Sequence, residues 1–204
     1  MLSAAEIAAL HDELTARWHS DAFDANESAA DDWLSQVAAQ HRANFELWHI
    51  EDEARTPGCT DAELAAVKRR VDTTNQRRND LAEQLDRALL AMLAPKNLPN
   101  NQASLHSESP GLIIDRLSIL ALKIYHTREE AERKDAPQGH AERNRERLAI
   151  LEEQRADLAA CLDTLGRETV AGSRRFKLYR QLKMYNDPSL NPAVYGKRGR
   201  APGS

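Results

Sequence analysis

Apolar residues recur along the chain at helical spacing, three and four apart, and nowhere alternate over a strand's length. Ile7, Leu10, Leu14 and Trp18 form one such stripe. Ser3 and Glu6 make a capping box ahead of it, so a first helix is predicted over 4–19. A second is predicted over 28–55, ended by Pro57-Gly58. Thr60 and Glu63 form another capping box. The line Leu64, Val67, Val71, Leu81, Leu85, Leu89, Met92 then predicts a third helix to residue 94, stopped by Pro95. Residues 95–110 read as a loop rich in Asn, Ser and Pro, long enough to be functional or disordered. Pro110 opens a fourth helix to residue 134. Its GLIIDRLSILALKIY segment is apolar nearly all round, which predicts a central position. A fifth follows over 140–170, and a short basic helix over 173–185. Long helices with short connections give the predicted fold: all-α, an elongated antiparallel bundle of five to six helices, in one domain over 1–196 with a disordered basic tail over 197–204.

Composition supports this reading. The 204 residues include 32 alanines, only 5% aromatics and 29% charged residues, a mixture that favours helix. No apolar run approaches the about 20 residues of a membrane span. The opening MLSAAEIAALHDEL has neither the basic nor the apolar region of a secretory signal, so the cytoplasm is the expected compartment. Cys59 and Cys161 match no metal spacing and are expected as free, buried thiols. Net charge is −4, but from Ser173 onward eight Lys/Arg face one acid. That +7 segment can fold back on an acidic body or hold an anion; the body's charge disfavours nucleic acid.

Chemistry is signalled where polar groups interrupt the core stripes. The second helix reads Trp33, Val37, His41, Asn44, Trp48, Glu51, Arg55, turning from apolar to polar. The third breaks at Thr74 and Arg78, beside Asn75. Asp115 lies on an apolar face of the fourth. A buried polar group without a partner costs about 1–3 kcal/mol, so such a stripe is a satisfied network or a ligand site. If the second and third helices fold about residue 58, facing residues sum to about 116 by simple hairpin register. His41, Asn44, Asp72 and Asn75 then form one cluster, and Glu51, Asp52 and Arg55 another. Arg78 lies about 20 Å from Glu51 along the axis. Catalogued motifs fail: Glu46-x-x-His49 is half of a di-iron signature without its second copy. Glu83-x-x-Asp86 lacks the upstream pair of the helical pyrophosphohydrolases. No phosphate-binding glycine loop or zinc spacing is present. No metal set and no cofactor class is assigned.

Four segments, NFELWHIEDEAR (44–55), NQRRND (75–80), SESPGLIIDRLSILALKIYH (107–126) and RRFKLYRQLKMYNDPSLNP (174–192), together resemble the bacterial domain-of-unknown-function family 4254. The resemblance runs from about residue 30 to 195 and implies a helical bacterial protein with no established reaction. It singles out Asn44, Trp48, Glu51, Asp52, Arg55, Asn75, Arg78, Asp80, Glu108, Gly111, Asp115, Arg116 and Lys123. Residues and resemblance together give the working expectation of a protein that binds or acts on a phosphorylated or nucleotide-linked small molecule. Glu51, Asp52 and Asp115 are the candidate acid/base groups or Mg²⁺ ligands. Asn44, Trp48, Arg55, Asn75, Arg78, Glu108, Lys123, Arg174 and Arg175 are the candidate ligand contacts. The competing expectation is a non-catalytic homodimeric interaction module whose polar core fixes register.

Overall fold

The computed structural model describes residues 3–20, 32–182 and 189–190. Five helices carry it: α1 (Ala4–Ser20), α2 (Trp33–Glu53), α3 (Asp61–Leu93), α4 (Pro110–Glu132) and α5 (His140–Val170). Two-residue strands β1 (Ser104–Leu105) and β2 (Arg174–Arg175) pair in parallel. Each helix agrees with its predicted span to within a few residues, apart from residues 28–31 of the second, which lie outside the described set. The fold is all-α, and no described helix is long and apolar enough to cross a membrane.

Helix ends follow local chemistry. Asp32 caps α2 by accepting from the Ser35 N–H at 2.7 Å. The reciprocal Thr60–Glu63 capping box opens α3. Gly172, at φ +73°, ends α5 in the left-handed conformation that costs glycine least, and the Ser173 N–H closes back on the Glu168 carbonyl.

α4 is central, as its sequence predicts, and touches all four other helices. Ile113, Ile114, Leu117, Leu122 and Ile124 are sealed from solvent. Leu85 of α3, Ile7 of α1, Val37 of α2 and Leu162 of α5 pack against its first half. Trp18 and Phe45 pack against Leu122 further along. The α2–α3 and α4–α5 pairs are antiparallel hairpins. α1 runs parallel to α2, since His11 stacks on His41 and His19 lies against His49.

Several expectations need correction. Leu64 and Met92, placed on the α3 core line, are 46% and 54% exposed, because they lie near helix ends where fewer neighbours cover them. Cys59 is half-buried and Cys161 exposed; both thiols are free, but neither is in the core. The basic helix does not form at its start. Arg174–Arg175 is a strand, and residues 176–182 have no regular structure. A short isolated helix is marginal in water. Here the backbone pairs with β1 instead, the Arg175 carbonyl accepts the His106 N–H at 2.8 Å, and Phe176 is buried. The long loop accordingly holds a 3₁₀ turn (Ala94–Lys96) and β1. The rest of the basic helix from 183, and the tail over 197–204, lie outside the described residues.

α3 and α4 cross closely at Gly111. A β-carbon there would sit 2.2 Å from the Ala82 carbonyl oxygen. The Gly111 N–H donates to Asp86 Oδ1 at 2.7 Å, so a carboxylate from α3 serves the first turn of α4. Gly111→Ala is expected to destabilise the protein by at least the about 1–3 kcal/mol typical of overpacking, read as a lower urea midpoint with an unchanged m-value.

Candidate functional site

The polar interruptions converge on the centre of the bundle. Asp115 of α4 is 6% exposed and accepts four hydrogen bonds. Its Oδ1 receives Gln40 Nε2 at 2.5 Å, Asn44 Nδ2 at 3.0 Å and Arg78 Nε at 2.7 Å; its Oδ2 receives Arg78 Nη2 at 2.5 Å. The Arg78 pair is bidentate, the geometry that best compensates an ion pair withdrawn from water. The carboxylate beside it raises the guanidinium pKa further, so Arg78 stays charged.

The network continues to α1 with a single consistent set of protons. The Thr15 hydroxyl donates to the His11 carbonyl at 2.7 Å, so its oxygen accepts from His41 Nε2–H at 2.9 Å. His41 Nδ1 then accepts from the Ser118 hydroxyl at 2.7 Å, and Ser118 Oγ accepts from Asn44 Nδ2 at 2.9 Å. Burial holds the His41 pKa down to about 3 and that of His11 well below its ordinary value; both are neutral near pH 7.

Outside this network, α2, α3 and α4 enclose a cleft of about 480 Å³. Asn44, Trp48, Glu51, Asp52, Arg55 and Arg78 line it, with an apolar wall of Leu47, Ile119 and Leu122. Arg55 lies along its own helix, donating to the Glu51 carbonyl at 2.8 Å, Glu51 Oε2 at 3.2 Å and Asp52 Oδ1 at 3.4 Å. Arg55 and Asp52 are more than half exposed, and Glu51 is half-buried. Arg78 is held by Asp115 through Nε and Nη2, and its Nη1 makes no hydrogen bond to the described residues.

Half of the twelve candidate residues therefore meet in one cleft. Asp115 lies behind it, with its carboxylate taken up by four hydrogen bonds, two of them from Arg78. Asn75 is half-buried on α3, away from the cleft lining. Glu108 is bound to Arg116 at 2.8 and 3.0 Å, and Lys123 is exposed on α4. Arg174 pairs with Glu168 at 2.9 Å, and Arg175 Nε donates to the Ala103 carbonyl at 2.8 Å. The expectation that the basic segment folds onto acidic groups thus holds at Arg174.

The hairpin register also differs from expectation. Ion pairs Glu46–Arg77 and Glu53–Arg70 join residues whose numbers sum to 123 rather than 116. Side chains on a helix lean toward its N-terminus, and in an antiparallel pair both leans raise the partner number. Arg78 consequently shares a cleft with Glu51. His41 and Asn44 bond to α4 rather than to Asp72 and Asn75, and Asp72 instead accepts from Lys68. Sequence reasoning missed Thr15, Gln40 and Ser118. It also missed His11, although this residue interrupts the α1 stripe between Ile7 and Leu14.

The family model "Protein of unknown function (DUF4254)" matches residues 34–178, so the chain belongs to that family. The match holds α2 (after Trp33) to α5 and the polar cluster apart from His11 and Thr15 of α1, and ends at residue 178, within the fourth of the resembling segments. Comparison with curated proteins and with solved structures returns no match.

Removal of Asp115 strands Arg78, Gln40 and Asn44 in the interior. Asp115→Ala is expected to cost about 3–5 kcal/mol in urea melts, whereas Glu51→Ala should stay within about 1 kcal/mol. Acid should weaken the fold. Below pH 6.5 the unfolded chain protonates His11 and His41 while the folded chain resists, so each withdraws up to about 1.4 kcal/mol per pH unit as pH falls. Asp86, pushed up to about 6 by burial, opposes this between pH 6 and 3.8, because the folded carboxyl keeps a proton the unfolded one releases. Two histidines outweigh one carboxyl. Stability should drop from pH 6.5 to 4, with a shallower slope in His41→Asn.

Proposed function

We propose that the protein binds a phosphorylated or nucleotide-linked small molecule in the α2–α3–α4 cleft. The observation that carries this reading is Arg78. Its guanidinium is fixed on two nitrogens by a buried carboxylate and keeps a third, Nη1, for a ligand. A cation immobilised in advance loses little conformational entropy on binding, and guanidinium geometry suits phosphate oxygens. Trp48 and the wall of Leu47, Ile119 and Leu122 supply apolar surface for a base or sugar face beside the anion. Glu51 and Asp52 on the rim are placed to hold Mg²⁺ with the phosphate or to accept a proton, and Arg55 is drawn from them to the ligand.

The second reading, a homodimeric interaction module, draws support from an apolar recess at the opposite end of α2. Trp33, Leu89, Met92, Val170 and Phe176 line it. In that case the central network serves register alone.

A thermal-shift screen with nucleotides and sugar phosphates, each with and without Mg²⁺, separates the two. A ligand at 100 times its Kd adds about 2.7 kcal/mol, or roughly 5–10 °C in Tm for a chain of this size. Trp48→Ala and Arg55→Ala should abolish the shift, and Arg174→Ala should leave it. The absence of any shift, with a dimer in light scattering, favours the interaction module.

A further inference from the structure

Beyond the cleft, His19 of α1, His49 of α2 and His126 of α4 converge. One ring nitrogen from each lies within 4.8 Å of the other two. The Nε2 atom of all three is buried and has no hydrogen-bond partner among the described residues.

Their protonation follows from the neighbouring contacts. His19 Nδ1 is 2.7 Å from the Thr15 carbonyl oxygen, which can only accept, so the proton sits on Nδ1 and Nε2 carries a lone pair. His126 Nδ1 is 2.9 Å from Glu129 Oε2 and takes the same tautomer. At least two lone pairs therefore face one small buried space, where acceptors cannot satisfy one another. Aromatic stacking sets the rings from outside. Tyr125 lies on His19 at 4.4 Å and 15°, and Trp48 on His126 at 4.9 Å and 11°.

We infer that His19, His49 and His126 form a binding site for a divalent transition metal of the zinc class. Neutral imidazoles are its preferred nitrogen ligands, and Mg²⁺ and Ca²⁺ require oxygen. Contacts from His19 Nδ1 to a carbonyl and from His126 Nδ1 to a carboxylate are those that orient metal-ligating histidines. Zn–N bonds of about 2.0–2.1 Å place tetrahedral ligand atoms about 3.3 Å apart, so small ring rotations close the set. Three protein ligands leave one tetrahedral position for water or substrate, the pattern of reactive rather than structural zinc. His49 also lines a recess of about 640 Å³ with Glu46, Glu53 and Arg70, which gives the site a route to solvent.

The inference is independent of the phosphate reading, and its test uses metal alone. Untagged, chelator-treated full-length protein is titrated with Zn²⁺ by calorimetry and with Co²⁺ by visible absorption. One metal per chain and the intense band of four-coordinate Co²⁺ are expected. His49→Ala should abolish the band. Glu129→Ala, which removes only an outer partner, should weaken binding about 10–100-fold. His106→Ala should change nothing. His126→Asn repeats the test should His49→Ala fail to fold. Substoichiometric zinc in the native protein, or unchanged affinity in the folded histidine variants, overturns the site.

Discussion

The Asp115–Arg78 pair is the constraint on which the rest of the structure depends. Withdrawing two charges from water costs several kcal/mol per ion, and their attraction repays this only when the remaining polar valences are also satisfied. Gln40 and Asn44 meet that requirement from α2, Arg78 from α3, and the carboxylate comes from α4. Three helices are thereby tied at one level. A slip of α3 by one turn would separate Arg78 from its partner by about 5.4 Å and leave a buried charge unpaired. Apolar packing tolerates exchange among similar side chains; this contact does not, and so it selects one register among several that the leucine stripes would accept.

The same pair shapes the surface in front of it. Held from behind, Arg78 lies on the cleft wall with 22% of its side chain exposed instead of extending into solvent. The histidine chain extends the ordering to α1 through groups that are neutral and therefore far less costly to bury. Thr15 is committed to the His11 carbonyl, which fixes the His41 tautomer and in turn the Ser118 hydroxyl. A change at α1 can thus reach Asn44 at the cleft through His41 and Ser118.

The sequence made the five long helices legible because apolar periodicity, capping boxes and Pro/Gly stops are local signals. It made the polar centre legible in kind, since Asn44, Arg78 and Asp115 stood out as costly residues on core faces. Their pairing was not legible. Hairpin arithmetic treats residues as points on an axis, whereas Glu and Arg reach several ångströms toward their own N-termini, enough to move Arg78 from a remote level into the cleft. Arg174 and Arg175 were misread because their conformation is set by β1, some 70 residues earlier, and by the burial of Phe176. The histidine cluster had no linear signature: His19, His49 and His126 belong to three helices, and only the parallel course of α1, α2 and α4 brings them level.

That parallel course also connects the two proposed sites. α2 presents Asn44, Trp48 and Glu51 toward the cleft and His49 toward the histidine cluster, and Trp48 belongs to both, since it stacks on His126 and lines the cleft. An ion on His126 would polarise the imidazole on which Trp48 lies, and a ligand pressing on Trp48 would fix the ring that holds the ion. The two binding events would then share one side chain, and any effect of one on the other would be reciprocal, as linkage requires. Such coupling needs no movement of the bundle. It requires only that Trp48 remain stacked, which the packing of Phe45, Trp18 and Leu122 beside it enforces.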